Sequence, residues 1–370
     1  MTVTDRTGPA STTADATART LAAAHELTTR RVQDVTAVLA GVEGDPRSPA
    51  LGGFGLDLAA ELARWTDSQG KQVRAVVAHH GFVVAGGRAT SPDADGLASL
   101  GSALELLHLF ALVHDDVMDR SRTRRGLETT HERAARRHRE AAARGDAERY
   151  GDGVAILLGD LLLAEASAAV ASLPEAVRIA WRHMVLELVH GQLLDLTATA
   201  AGTDDPAVTR VVARLKTGRY TVRRPLELGA LLVTDDASLL EVLGRWGDLV
   251  GDAFGLRDDV LGVWGDPGRT GKPALDDLVD GRATTLLAWA RDMVTGSDAP
   301  LVEACSTGEL DRDDAVRLAD ALVRNGVRDR AERAIDALLA EAAEVADGLP
   351  HPAARGALAG LAARLARRTR

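Results

Sequence analysis

LASLGSALELLHLFALVHDDVMD, Leu97 to Asp119, is the stretch whose reading decides the fold. Leu100, Leu104, Leu107 and Ala111 recur at spacings of three and four, with Val113 just beyond, so one apolar stripe runs along a helix that also carries Glu105 and His108. The same period appears outward in both directions along the chain. It marks helices over Val154 to Leu173, Ala176 to Leu196, Val208 to Tyr220, Pro225 to Val233, Ser238 to Val263, Thr284 to Val294 and Arg328 to Ala346. Aromatics are only 3% of residues and no run alternates apolar with polar, which leaves strands without a signature. The expected class is all-α, a single large helical bundle around a central active-site cavity.

Composition narrows the function. The chain of 370 residues carries 44 Lys and Arg against 54 Asp and Glu, a formal charge of −10, with no extended basic block. Nucleic acid is not an expected partner, because phosphate-backbone binding depends on clustered cations. A single cysteine, Cys305, supports neither an internal disulfide nor a cysteine-rich zinc site, and a reducing, cytoplasmic location is expected. The apolar stretch Val154 to Val170 is interrupted by Asp160 and Glu165, so no integral membrane segment is expected. The small polar residues of MTVTDRTGPASTTADATART read as a lead-in, which makes residues 1–50 a partly disordered N-terminal segment and 51–370 the helical domain. Breakers at Gly86-Gly87, Ser91-Pro92, Gly151 to Gly153, Gly202 to Pro206 and Gly265 to Pro273 separate helices without forming a long linker.

Chemistry concentrates in acidic helix ends. Asp115 and Asp119, four apart, share a helix face with Asp116 beside them. Three carboxylates at the end of an apolar helix repel one another unless something cationic sits among them. Oxygen-only ligands on one face suit Mg²⁺, which takes one or two carboxylates and completes its shell with water and substrate phosphate. A second acidic set, Asp258 and Asp259 in RDDVLG, lies inside another apolar helix and is expected to oppose the first across the cavity. The letters DDLVD at Asp276 to Asp280 follow Pro273 without an apolar helix before them, and read as a chance repeat. Cations that suit phosphate oxygens accompany these sets: Lys71 and Arg74, Arg124 and Arg125, and Lys216 with Thr217.

With these motifs in order, the chain resembles the trans-isoprenyl diphosphate synthases, or polyprenyl synthetases, from about Ser68 to the end of the helical domain, and among them is most similar to bacterial geranylgeranyl diphosphate synthases. The resemblance rests on GKQVR (Gly70 to Arg74), LLHLFALVHDDVMDRSRTRRG (Leu106 to Gly126), GQLLD (Gly191 to Asp195), KTGRYT (Lys216 to Thr221) and RDDVLGVWGDPGRTGKPALDDLVDGRATTL (Arg257 to Leu286). It implies that Asp115, Asp116, Asp119, Asp258 and Asp259 bind three Mg²⁺ that hold an allylic diphosphate. Lys71, Arg74, His108 and Arg125 then match the site for isopentenyl diphosphate. Arg124, Lys216, Thr217 and Lys272 match contacts to the allylic diphosphate, Arg282 stands where a lysine is usual, and Gln192 and Asp195 line the pocket. Asp115, Asp116, Asp119, Arg124, Lys216 and Asp258 are the groups expected to act in the reaction itself. Phe110 and Ala111, one turn before Asp115, are expected to set chain length and to favour a C20 product in a homodimer.

The pattern departs from the family at four places: Gln69 replaces a glycine, Ala75 a proline, Gly255 a frequent glutamine, and Gly262 the last aspartate of the second motif. Three other readings therefore stand beside the main one. They are farnesyl diphosphate or another chain length as product, a class I terpene cyclase, and a non-catalytic subunit of a heteromeric synthase.

Overall fold

The computed structural model describes residues 9–43, 57–68, 70–88, 93–203, 205–266 and 274–367. Among them the chain is helical nearly throughout, as the apolar period requires, and the described residues fall into two compact units. One lies within 1–82 and 87–178, the other within 83–86 and 179–370.

The first unit is built around α4. Its helices are α1 (Pro9–Glu43), α2 (Leu58–Asp67), α3 (Val73–Val84, which ends in the second unit), α4 (Ala94–Met118), α5 (Thr130–Glu140) and α6 (Ala147–Val170). α4 buries Leu97, Leu100, Leu104, Leu107 and Val113 and packs against α1, α2, α5 and α6. The sequence places residues 1–50 in a lead-in, yet residues 9–43 form α1. Thr17, Ala24, Thr28, Val32 and Val35 are its buried side, and Thr28 Oγ1 donates to Ser102 Oγ of α4 at 2.9 Å. Those positions follow helical spacing in small residues, which carry a weak hydrophobic signal. Aspartates open several of the helices: Asp57 accepts from Ala59 N–H and Asp146 from Arg149 N–H, satisfying donors that the first turn leaves over.

One departure from the all-helical pattern matters for the site. Thr123–Arg124 (β1) pairs antiparallel with Leu127–Glu128 (β2), and the two turn residues, Arg125 and Gly126, both take positive φ, +54° and +75°. This is the geometry of a two-residue primed hairpin turn, whose twist matches that of the strands it joins. Two residues per strand are too few to show alternation, so the hairpin has no trace in the sequence pattern.

By length and apolar content α4 and α6 each pass for a membrane span, α6 because it extends back to Ala147 beyond the stretch read from the sequence; 67% of the apolar window of α4 is buried in protein.

The second unit contains most of α7 (Glu175–Ala201), α8 (Pro206–Val212), a π-helix (Ala213–Arg223), α9 (Arg224–Leu231) and α10 (Ala237–Trp264). It continues through α11 (Asp276–Val279), α12 (Thr285–Met293), α13 (Ala299–Ser306), α14 (Arg312–Arg324), α15 (Val327–Asp347) and α16 (Pro352–Ala366). α10 is its axis, flanked by the π-helix, α9, α15 and α16. Leu256, Val260 and Val263 of α10 join Leu286, Leu318, Leu322 and Ile335 in its apolar core. Where the sequence period predicts one helix over Val208 to Tyr220, the backbone passes from α to π at Ala213. Backbone contact accompanies the change. A Cβ on Gly251 would lie 2.9 Å from Gly218 O, and one on Gly191 2.7 Å from Lys216 N, so glycines let the π-helix touch α10 and α7.

Candidate active site

In the first unit, α4 and the hairpin together gather the predicted residues. Asp116 is 1% exposed and Arg124 5%; Arg124 Nε donates to Asp116 Oδ1 at 2.7 Å and its Nη2 lies 3.4 Å from Asp115 Oδ2. The cation demanded by three crowded carboxylates is thus partly supplied from within the chain. Asp116, expected as a metal ligand, is turned into this buried pair. Asp115 is partly exposed, and Asp119, the residue that caps α4, lies one turn further along. The three aspartates therefore divide into one that is packed and two nearer the surface.

Seven and ten residues back from Asp115 along α4, His108 and Glu105 meet Arg74 and Arg125. Arg125 Nη1 donates to Ser68 O at 2.7 Å and its Nη2 lies 3.4 Å from His108 Nε2. A Cβ on Gly70 would fall 2.6 Å from the same guanidinium, so the glycine beside Lys71 lets Arg125 lie in this position without shifting. Gln72 and Arg125 are both left-handed, at φ +47° and +54°, a conformation that costs a non-glycine residue about 1 kcal/mol or more and collects at functional sites. Of the sequence departures, Gln69 lies outside the described residues, and the left-handed residue in the turn that carries Lys71 is Gln72. Ala75 is 1% exposed and sits in the helix that Gln72 introduces.

Burial pushes the Glu105 carboxyl up to about 7, although the neighbouring Arg74 and Arg125 charges oppose the rise. Burial also lowers Arg125, with Glu105 supporting its charge and Arg124 and Arg74 repelling it. Basic groups so crowded, with a single carboxyl among them, make a pocket suited to an anion. The folded state holds the Glu105 proton more tightly than the unfolded chain, so between pH 4.5 and 7 the native state binds more protons and stability falls as pH rises. We expect urea unfolding to show this fall, on the order of 3 kcal/mol, with Glu105→Gln flattening that part of the profile. Identical pH profiles for the two proteins would remove Glu105 from this role.

In the second unit the second acidic motif is more crowded than the sequence suggests. Asp259 is driven well above the ordinary carboxylate range by burial and by the Asp277 and Asp258 charges, against one hydrogen bond from Thr285 N–H at 3.2 Å. Asp277 belongs to the set read as a chance repeat, and the structure corrects that reading. A Cβ on Gly262 would lie 2.4 Å from Asp277 Oδ2, so a carboxylate from α11 fills the place next to Gly262, where the motif lacks its last aspartate. Arg282 stands 3.5 Å from both Asp277 and Asp280. Lys216 Nζ contacts Asp195 Oδ2 at 2.6 Å, Thr217 is half-buried in the π-helix, and Lys272 lies outside the described residues. At Gly255 an added Cβ meets nothing within 4 Å, so open space stands where a glutamine is frequent.

Among the described residues no three His, Cys, Asp or Glu groups converge closely enough to hold a metal ion by themselves. Asp259, however, is crowded by Asp258 and Asp277, a repulsion that a divalent cation such as Mg²⁺, bound through one or two carboxylates, would relieve. Cys305 takes no part: its buried thiol donates to Leu278 O at 3.1 Å and burial pushes it up to about 12.

Helical units that carry carboxylates on helix ends and a separate arginine-lined pocket define a class, the all-α enzymes that bind diphosphates through cations. The polyprenyl synthetase family model matches residues 57–322. The chain is 32% identical over 242 residues to geranylfarnesyl diphosphate synthase of Aeropyrum pernix, covering 63% of this chain and 70% of that one. It is 34% identical over 232 residues to geranylgeranyl diphosphate synthase of Mycobacterium tuberculosis, covering 61% and 59%. Among solved structures, geranylgeranyl pyrophosphate synthase from Corynebacterium glutamicum, complexed with isoprenyl diphosphate and magnesium, superposes with a TM-score of 0.81 at 30% identity, over 95% of this chain and 99% of that one. The chain belongs to the polyprenyl synthetase family, the trans-prenyl diphosphate synthases.

Proposed function

We propose that this chain joins isopentenyl diphosphate to an allylic diphosphate and releases a short-chain all-trans prenyl diphosphate, geranylgeranyl diphosphate. The observation that carries this reading is that two different anion-handling sets are arranged along α4: carboxylates at Asp115 and Asp119 at its end, and a basic pocket where Arg74 of α3 and Arg125 of the hairpin turn meet its His108 and Glu105. A single-substrate cyclase has no use for the second set. Asp115 and Asp119, and in the second unit Asp258 and Asp259 with Asp277 near Asp259, would hold three Mg²⁺, which when bound stabilise the charge that develops on a departing diphosphate. Lys216, Thr217, Arg124 and Lys272 orient the allylic diphosphate, while Lys71, Arg74, His108 and Arg125 hold isopentenyl diphosphate near it. The allylic C–O bond breaks, the double bond of isopentenyl diphosphate forms the new C–C bond, and a proton leaves to the released diphosphate. No side-chain nucleophile is needed.

Residues 51–370 hold the reacting groups and α1 covers α4. The protein works in the cytoplasm and as a homodimer; for the dimer, Leu186, Val189 and Leu193 of α7 are 53%, 51% and 58% exposed, apolar surface of the second unit that pairing would cover. Phe110 is buried, its ring 4.7 Å from that of His114, a bulky side chain that would limit product length from its place before Asp115. Purified protein with Mg²⁺, isopentenyl diphosphate and C5, C10 or C15 allylic diphosphates is expected to give a linear C20 diphosphate by mass, and Phe110→Ala to give longer chains. Cyclic hydrocarbons, or turnover only after a second kind of chain is added, would replace this reading; an unchanged product from Phe110→Ala would remove Phe110 as the floor.

A further inference from the structure

The π-helix Ala213–Arg223 is held by a set of ion pairs whose spacing matches its unusual register. Arg214 Nε donates to Asp252 Oδ1 at 3.1 Å, and Arg219 Nε to Asp248 Oδ1 at 3.1 Å. The two arginines are five apart and the two aspartates four apart. An i→i+5 helix takes about 4.4 residues per turn, so its residues five apart diverge by only about 50°, close to the roughly 40° between residues four apart in the α-helix α10, and the partners stay on facing sides. In an α-helix residues five apart point about 140° away from each other, and this alignment is lost.

Glu187 adds contacts from another helix, α7. Its Oε1 is 3.2 Å from Arg219 Nη1 and 2.6 Å from Arg224 Nη2, and its Oε2 accepts from Arg224 Nε at 2.9 Å. Arg219 of the π-helix and Arg224, the first residue of α9, both reach this one carboxylate, which ties the end of the π-helix to α7. Arg223 joins by contacts to Asp248 at 2.5 Å and Glu227 at 2.8 Å, and Glu227 also accepts from Arg224 at 2.8 Å. These groups are only partly exposed, between 11% and 25% for Glu187, Arg219, Arg223, Arg224, Glu227 and Asp248. Burial favours a raised Glu187, yet the Arg224 hydrogen bonds and the Arg219 and Arg223 charges hold it below the ordinary carboxylate range.

We propose that Glu187, with Asp248 and Asp252, is a register lock: it keeps residues 213–223 π-helical and thereby orients Lys216 and Thr217, which lie between the Arg214 and Arg219 clamps. Glu187 is a positioning residue. Its effect on substrate rests on the reading that Lys216 and Thr217 contact the allylic diphosphate; its effect on register does not.

The full-length Glu187→Gln variant separates the two. Amide hydrogen exchange, measured without substrate, is expected to accelerate about tenfold or more in residues 213–223 and to stay unchanged in α4. The KM for the allylic diphosphate is expected to rise about tenfold, with that for isopentenyl diphosphate within about twofold of the parent. Exchange unchanged in 213–223, or raised equally throughout, overturns the lock. Faster local exchange with an unchanged allylic KM overturns the positioning role. Lys216→Ala, run in parallel, decides whether the reading beneath has failed: an allylic KM unaltered in that variant shows the fault lies there and not in the lock. Should Glu187→Gln not fold, Asp248→Ala removes two contacts of the same network, to Arg219 and Arg223, and is read the same way.

Discussion

Arg124→Ala is expected to lower stability by about 3–5 kcal/mol. Its guanidinium is 5% exposed and its main partner, Asp116, 1% exposed, so removal leaves a carboxylate buried without its closest counter-charge. The cost comes from that abandoned charge and not from the attraction between the two groups, most of which their own desolvation offsets. A double replacement makes the distinction: Arg124→Leu with Asp116→Leu is expected to recover most of what Arg124→Ala loses, because neither charge then remains inside. Urea unfolding of the three proteins measures it. A loss below about 1 kcal/mol for Arg124→Ala would mean that Asp116 is better served by its other neighbours than this argument allows.

Arg124 also shows what sequence reading can and cannot reach. The long helices were legible because Leu, Val and Ala recur at helical spacing over twenty residues or more, and the acidic helix ends because paired aspartates interrupt those apolar runs. The primed turn at Arg125-Gly126 was not, since strands of two residues have no period and the usual Asn-Gly or Asp-Gly is replaced by Arg-Gly. Yet that turn is what sends Arg124 inward to Asp116 and Arg125 toward Gly70. Asp277 was passed over because a helix of four residues after a proline carries no apolar stripe. The hint lay in its partner: Gly262, the gap in the second motif, leaves room that a carboxylate from elsewhere fills. The π-helix hid for a third reason. Its apolar positions fit an α pattern well enough, and the signal for i→i+5 was in the charges, Arg214 and Arg219 at an interval of five with Gly218 between them.

Asp115→Asn is expected to do the opposite of Arg124→Ala, leaving stability nearly intact while lowering kcat about 10²- to 10³-fold, the scale on which the loss of one charge-stabilising group is felt. The division within the first acidic motif is the reason. Asp116 is committed to Arg124, whereas the Asp115 side chain is 17% exposed and touches the same guanidinium only at 3.4 Å. An amide in its place retains the size of the carboxylate and can still accept that weak hydrogen bond, so the fold loses little. What it gives up is half or more of the negative charge that a divalent ion needs at this helix end, since Asp119 alone would remain on the same face. The Mg²⁺ concentration for half-maximal rate should therefore rise together with the fall in kcat. Asp116→Asn should show the reverse ranking, losing stability first. If Asp115→Asn unfolded the protein while Asp116→Asn spared it, the roles assigned to the two neighbouring aspartates would have to be exchanged, and with them the face of α4 that meets the ion.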